Sequence, residues 1–377
     1  MPLKKSRRIV LLVGTRKGAF FFYGDPQRRS WKVKGPHFLG ATINHLVLDP
    51  RDGKTLLVGA KTGHLGPTVF RSTDWGKKWK EAKHPPAFAK TEGGSAVKNV
   101  FWLTPGPASK PGSWYAGTVP HGIFRSENGG NTWTSLTGFE EALAEWMKVE
   151  GLIWDTPDGA ITHSIRFDPR RPEHLYVGLS TGGFFESPDG GTTWKPLNKG
   201  VAADFLPQKN LEFGHDPHCV VVHPANPDRL YQQNHCGLYR LDRPSDTWIR
   251  IGRNMPKGIG DIGFPVVVHP RDPGTAWVFP MDGTEAWPRT SPGGKPALYV
   301  TRNAGETWKR QDKGLPRQQG WFTVRRQCIC SDSCEPVGLY FGTTGGELWA
   351  SRDEGSTWSC VASHLPTILS VEVGMRG

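Results

Sequence analysis

Seven Trp residues recur along the chain at nearly even intervals, and this repeat limits the folds available to it more than any other feature. Six of them directly follow Thr or Ser, and successive Trp residues are 48, 54, 61, 54, 60 and 50 positions apart. Such a period is typical of a four-stranded propeller blade. The 47 Gly and 32 Pro residues also indicate many short strands joined by turns. We therefore predict an all-β, seven-bladed β-propeller with four antiparallel strands per blade, formed as a single domain by residues 1–377.

A short motif precedes most of these Trp residues. Its clearest copy reads Ser187, Asp189, Gly191, Thr193 and Trp194. One residue lies between each of these and the next, except that Thr193 and Trp194 are adjacent. Further copies span 72–79, 126–133, 301–308 and 351–358. Ser and Asp side chains at such spacing bond backbone NH groups in a tight turn, and Gly supplies a positive φ. The motif Asp is therefore expected to form a turn rather than to act in catalysis.

A second landmark lies upstream in each repeat, where an apolar strand ends in Asp-Pro or His-Pro. The next apolar strand begins seven residues later, as from Asp168 to Leu175 and from His223 to Leu230. Each blade is thus predicted to contain strand A, a turn, strand B, a Gly hairpin, strand C, the motif turn and strand D.

The motif resembles the BNR or Asp-box repeat of sialidases, sortilin-like domains and xyloglucan-degrading propellers. The chain as a whole resembles bacterial BNR-repeat propellers labelled as glycosyl hydrolases or sialidase-like. The resemblance covers nearly the whole sequence and implies the propeller fold. Because one fold hosts many activities, function has to be argued from a site.

The two ends of the chain predict how the ring closes. The run Ile9 to Val13 matches strand B, so the first repeat has no strand A of its own, and residues 365–373 have the pattern of the missing strand. Blade one is therefore expected to be shared by N- and C-terminal strands, which leaves no exposed sheet edge.

Long insertions concentrate on one predicted face. The A–B and motif turns fall on one side of the ring, whereas the B–C and D–A connections fall on the other and contain the insertions at 81–97, 134–162, 195–217 and 281–296. Long loops on a rigid scaffold commonly form binding sites. Sialidases, to which the motif is similar, also place their active site opposite the boxes.

Polar residues are predicted to converge at the mouth of the central channel. Those proposed to bind a ligand are Asn44, His45, Asn99, His163, His215, His218 and His235. Three interpretations stay open. The residues form a buried hydrogen-bonding network, they bind a sugar or an anion, or His163, His215, His218 and His235 hold a divalent metal. No cofactor is required by the sequence.

We predict that the protein has a ligand site on its loop face. Through this site it would bind carbohydrate or act on it as a glycosyl hydrolase. Sialidase chemistry is not expected, because all seven Tyr residues fall in repeated strand positions. A hydrolase with two carboxylates would draw on Asp216, Asp261 or Glu150. The alternative is a non-catalytic scaffold that binds a protein partner or a metal at the channel mouth.

The formal charge of +12 favours anionic partners in general, but the cations are dispersed along the sequence and no nucleic-acid motif accompanies them. The apolar run from Ile9 to Val13 is too short for a signal sequence and no run is long enough for a membrane helix. We therefore expect a cytoplasmic protein.

Overall fold

The strands of the computed structural model form seven sheets arranged as successive blades. The structure describes residues 8–90, 95–146, 148, 160–205, 208–283 and 289–376. Within these residues each sheet has four antiparallel strands, and the strand order follows the chain in every blade except the first. This confirms the predicted seven-bladed propeller.

The strands of the first three blades alternate with short turns. They are β1 (Arg8–Thr15), β2 (Gly18–Gly24) and β3 (Trp31–His37) in blade one; β4 (Thr42–Leu48), β5 (Leu56–Thr62), β6 (Gly66–Ser72) and β7 (Lys80–Glu81) in blade two; and β8 (Asn99–Pro105), β9 (Trp114–Val119), β10 (Ile123–Ser126) and β11 (Thr134–Ser135) in blade three. Helix α1 (Thr137–Trp146) follows blade three.

The remaining blades repeat this order. The strands are β12 (Thr162–Asp168), β13 (Arg171–Leu179), β14 (Gly183–Ser187) and β15 (Lys195–Pro196) in blade four; β16 (Pro217–Val222), β17 (Arg229–Asn234), β18 (Gly237–Asp242) and β19 (Ile249–Arg250) in blade five; β20 (Gly263–Val268), β21 (Ala276–Pro280), β22 (Leu298–Thr301) and β23 (Lys309–Gln311) in blade six; and β24 (Ile329–Ser331), β25 (Leu339–Gly342), β26 (Leu348–Ser351) and β27 (Ser359–Ala362) in blade seven. Short 3₁₀ turns occupy Ile251–Asn254 and Pro292–Gly294.

Ring closure follows the prediction from the two ends of the chain. The last strand, β28 (Ile368–Arg376), is the innermost strand of blade one, whose order is β28, β1, β2, β3. It pairs antiparallel with β1, so that Val371 lies opposite Val13 and Val373 opposite Leu11. Since β28 follows blade seven in sequence, blade one joins both ends of the chain in one sheet.

The motif turns have the predicted hydrogen bonds. Asp189 Oδ1 accepts the backbone NH groups of Thr192 at 3.1 Å and Thr193 at 2.8 Å. The NH of Gly191, whose φ is +94°, donates to Ser187 Oγ at 2.8 Å. The indole of Trp194 then donates to the Gly191 carbonyl at 3.0 Å. The box Asp is thus a turn-forming residue, as expected from its spacing.

An Asp or His at the end of several inner strands also organises a turn. Asp168 Oδ1 accepts the NH of Arg170 at 2.9 Å, whereas Nδ1 of His223 accepts the NH groups of Ala225 and Asn226, both at 3.1 Å. A ring nitrogen therefore takes the place of a carboxylate oxygen. This explains why Asp and His alternate at one position of the repeat.

The core lies between blades rather than in one central mass. Between blades four and five it contains Tyr176, Phe184, Val220, Leu230, Tyr239 and Trp248. Helix α1 packs its buried Phe139 and Leu143 onto blade four, where Phe139 meets Phe185 and Trp194 edge to face. Among the residues described, no helix is both long and apolar enough to cross a bilayer.

Candidate functional site

A cleft of about 810 Å³ lies on the face that carries the long insertions, above blades five and six. Its walls come from the loop that contains Asp204 and Phe205, the segment 258–262, the segments 281–283 and 292–293, and the β17–β18 hairpin at His235. Two of the insertions noted in the sequence, 195–217 and 281–296, therefore both contribute to the walls of one cleft.

Three side chains with metal-ligand or acid–base chemistry meet at this cleft: Asp216, His218 and His235. Asp216 Oδ2 lies 3.2 Å from Nε2 of His218 and 3.5 Å from Nδ1 of His235. One donor atom from each residue lies within 4.8 Å of the other two. The backbone NH of His235 also donates to the Asp216 carbonyl at 2.8 Å, which holds the hairpin against the start of β16. We call these residues the Asp216 triad.

The charges around the triad keep Asp216 ionised. Burial alone would raise the pKa of its carboxyl group, but the neighbouring imidazoles of His218 and His235 and the positive charge of Arg326 together hold that pKa well below its ordinary value. Asp216 is therefore a poor general acid at neutral pH and is suited to act as a base, a nucleophile or a ligand.

A bidentate ion pair forms another part of the cleft wall. Nε and Nη2 of Arg250 lie 2.8 Å and 3.0 Å from the two carboxylate oxygens of Asp261, and Nη1 lies 3.6 Å from Asp204. Gly252 permits this approach, because a Cβ at that position would lie 2.3 Å from Asp261 Oδ2. Asp261 is thus in the cleft, as a carboxylate already bound by a guanidinium.

Several cleft residues were not identified from the sequence. Phe205 has 43% of its surface exposed and packs edge to face on His235, with ring centres 5.6 Å apart. Asp282 and Arg289 line the cleft on the side of blade six. The signal that pointed to all of them was the length of the insertions that contain them.

His163 and His215 do not belong to the Asp216 triad, contrary to the expectation that four imidazoles converge in one pocket. Nε2 of the fully buried His163 donates to the Pro217 carbonyl at 2.8 Å, and Nδ1 accepts the Ser164 hydroxyl at 2.9 Å. Burial lowers the pKa of His163 to about 3. His215 Nε2 bonds the Leu211 carbonyl at 2.5 Å. Both nitrogens of His163 are thus engaged, Nε2 in joining blade four to blade five and Nδ1 within blade four.

Asn44 and Asn99 lie in a different depression, of about 510 Å³, at the channel mouth. Their side-chain amides bond each other, Asn44 donating to Asn99. His45 is buried: its Nδ1 accepts the NH of Leu103 at 2.9 Å and its Nε2 lies 3.1 Å from Glu372. The predicted ligand residues therefore divide between two depressions and the blade interior. Glu150 lies outside the described residues.

The channel mouth gathers cations that are dispersed in the sequence. Its described lining contains Arg16, Lys17, Lys61, Lys98, Arg325 and Arg326, and no carboxylate. Gln327 crosses the mouth, because its Nε2 donates to the carbonyls of Asn44 at 2.6 Å and Phe101 at 3.2 Å. These cations come from hairpins and interblade loops of different blades, so their proximity is a product of the fold.

Sequence comparison identifies one group of proteins that are similar to this chain. The chain is similar to xyloglucanases. It is 24% identical over 309 residues to the oligoxyloglucan-reducing end-specific xyloglucanase of Neosartorya fischeri, a match that covers 72% of this chain and 35% of that protein. It is also 24% identical over 322 residues to a Paenibacillus xyloglucanase, with coverage of 80% and 29%. The chain thus spans about a third of the length of these relatives, and it matches no protein-family model.

Solved structures support the architecture. The GH74 xyloglucanase of Xanthomonas campestris superposes with a TM-score of 0.63 at 18% identity, over 95% of this chain and 53% of that one. At this identity the likeness establishes the propeller fold, and activity remains a separate question.

Proposed function

We propose that the protein binds a neutral oligosaccharide of the β-glucan type in the cleft above blades five and six. The curated relatives, which are named as xyloglucanases, match the chain over 72% and 80% of its length, and this similarity suggests the carbohydrate class. The cleft is large enough for several sugar rings and is lined by parts of two of the four long insertions.

The observation that carries this proposal is the combination of an exposed aromatic ring with charged hydrogen-bonding groups in one cleft. Phe205 offers its ring beside His235, and Asp204, Asp282 and Arg289 line the same space. Sugars present apolar CH faces that pack on aromatic rings and hydroxyl groups that bond carboxylates and guanidinium groups. Both kinds of surface are therefore available to one ligand.

The test is calorimetric titration with xyloglucan oligosaccharides. We expect Phe205→Ala to weaken binding about tenfold, which corresponds to about 1.4 kcal/mol. Leu65→Ala is the matched control, because Leu65 is an exposed apolar residue of the β5–β6 hairpin, outside the cleft lining. Equal affinities of both variants, or no binding by the wild type, would contradict the proposal.

Hydrolysis is the second candidate, favoured by the carboxylates of Asp204, Asp261 and Asp282 in the same cleft. Glycoside hydrolysis needs one carboxyl group as an acid and another as a base or nucleophile. Asp282, on the side of blade six, is the carboxyl group with which we would test the reaction.

Release of new reducing ends from xyloglucan by the wild type, with a loss of about a hundredfold or more in Asp282→Asn, would support hydrolysis. Asp312→Asn, a change at a surface carboxylate paired with Arg310, serves as control. Binding without any new reducing ends would leave a carbohydrate-binding propeller.

A further inference from the structure

The Asp216 triad directs its donor atoms at one point, and the orientation of His218 is the first step of the argument. Nδ1 of His218 lies 2.6 Å from the carbonyl oxygen of Gly263. A carbonyl oxygen only accepts, so Nδ1 bears the hydrogen and donates it. In the neutral ring Nε2 then presents a lone pair, and this lone pair faces Asp216 Oδ2 at 3.2 Å.

Two acceptors cannot face each other at this distance without a positively charged species between them. That species is either a proton or a metal ion. Among the described residues, the buried Oδ1 of Asp216 makes no hydrogen bond, and the buried Nδ1 of His235 makes none either, although it lies 3.5 Å from Oδ2 of Asp216. The triad therefore presents more unsatisfied donor atoms than one proton can bond.

The two distances from Asp216 Oδ2 to the imidazole nitrogens match those between ligands of one metal ion. With metal–ligand bonds of about 2.1 Å, neighbouring ligands are about 3.4 Å apart in a tetrahedron and about 3.0 Å apart in an octahedron. The two distances from Asp216 Oδ2, 3.2 Å and 3.5 Å, lie close to this range.

The surroundings have the features of a metal site. The bond from His218 Nδ1 to the Gly263 carbonyl is the outer contact that usually fixes a metal-binding imidazole. The backbone bond between His235 and Asp216 sets the position of the third ligand. His218 and His235 also line the cleft, so the remaining coordination positions would face it.

We propose that Asp216 Oδ2, His218 Nε2 and His235 Nδ1 bind a divalent transition metal such as Zn²⁺ or Fe²⁺. Two imidazoles and one carboxylate favour these ions over Mg²⁺ and Ca²⁺, which prefer oxygen ligands. The positive charge of Arg326 near Asp216 opposes the cation, whereas a carboxylate ligand attracts it. The metal proposal is independent of the carbohydrate proposal, and either can be correct without the other.

The experiment uses the full chain after treatment with a chelator. Zn²⁺ is titrated by calorimetry, and Co²⁺ is followed by its visible absorption, which reports the coordination of the ion. We expect one equivalent of each metal per chain and about a hundredfold weaker binding in His235→Ala and Asp216→Asn.

His64→Ala is the matched control, because His64 is an exposed imidazole in the β5–β6 hairpin, which corresponds to the hairpin of His235. Thermal melting of the metal-free variants checks their folding, and His235 is suited to substitution because 32% of its side chain is exposed. Failure of the folded wild type to bind Zn²⁺, Co²⁺ or Fe²⁺ would overturn the proposal and leave a proton between Asp216 and His218. Unchanged binding in both triad variants would also overturn it.

Discussion

The guanidinium of Arg28 lies 2.9 Å from the carboxylate of Asp332 and so joins the β2–β3 turn of blade one to the first turn of blade seven. The side chain of Asp332 is fully buried. It also accepts hydrogen bonds from the hydroxyl of Tyr340 at 2.8 Å and the NH of Gly338 at 2.7 Å. One carboxylate thus stabilises both a turn within its own blade and a contact between two blades.

Replacing Asp332 with Ala should therefore destabilise the ring strongly. The change leaves Arg28, the Tyr340 hydroxyl and the NH groups of Cys334 and Gly338 without this acceptor. Removal of one partner of a buried ion pair costs about 3 to 5 kcal/mol. The free energy of unfolding can be measured by urea titration. Asp312→Ala, at an exposed pair with Arg310, should change it by less than about 1 kcal/mol. Similar values for both variants would show that the contact adds little.

Loss of β28 should open the ring. Deleting residues 366–377 removes the inner partner of β1 and exposes an apolar strand edge, which favours aggregation. We expect most of the truncated protein in the insoluble fraction. Deleting only 376–377, which removes one pair at the end of the ladder, should leave solubility unchanged. A soluble long deletion with unaltered melting would contradict this account of closure.

Acid should weaken an interblade contact at Glu186. Burial opposes ionisation, but hydrogen bonds from His174 and Lys195 and the charge of Arg243 lower the pKa of Glu186 from 4.5 to about 2. The unfolded carboxyl group takes up a proton near pH 4.5, whereas the folded one does so near pH 2. The stabilisation is therefore complete above pH 4.5 and is lost as the pH falls from 4.5 to 2.

Glu186→Gln should accordingly lower the free energy of unfolding by about 2 to 3 kcal/mol at pH 7, and this difference should shrink below pH 4.5. Chemical unfolding at several pH values measures it. Glu335→Gln, at a carboxylate whose side chain is 78% exposed, is the control and should show little pH-dependent difference. A constant difference between wild type and Glu186→Gln from pH 7 to pH 3 would rule out the assigned pKa.

Sialosides should not be cleaved. A tyrosine nucleophile has to be accessible and easily ionised, whereas burial raises the pKa of Tyr176 and Tyr231 to about 12, and the Tyr231 hydroxyl donates to the Pro273 carbonyl at 2.7 Å. We expect no release of fluorophore from a fluorogenic sialoside. Turnover that disappears in one Tyr→Phe variant would show that a strand tyrosine does act.

The fold could be predicted from the sequence because its signals are local. Ser187, Asp189 and Gly191 interact within five residues, so their spacing alone reports the turn. His223 likewise bonds NH groups two and three residues ahead. Closure was also predictable, because a strand pattern was missing at one end of the chain and present at the other.

The site could be predicted only in part because it depends on contacts between distant loops. His163 and His218 occupy the same position of the repeat, but His163 bonds Pro217 and Ser164, whereas His218 faces Asp216. The difference arises because the neighbouring loop and hairpin supply different bonding partners to the two imidazoles. The repeat pattern does not indicate which partners these are. The cations of the channel mouth illustrate the same limit.

The pairing of β28 with β1 also governs how the chain reaches its folded state. Leu11 and Val373 are neighbours in the sheet but lie at opposite ends of the described sequence. During translation β1 leaves the ribosome long before its inner partner is made, so six blades can assemble while the apolar edge of β1 stays unpaired. Contacts of such high sequence separation form slowly. This interval is the period in which the nascent protein is most exposed to aggregation and most dependent on chaperones.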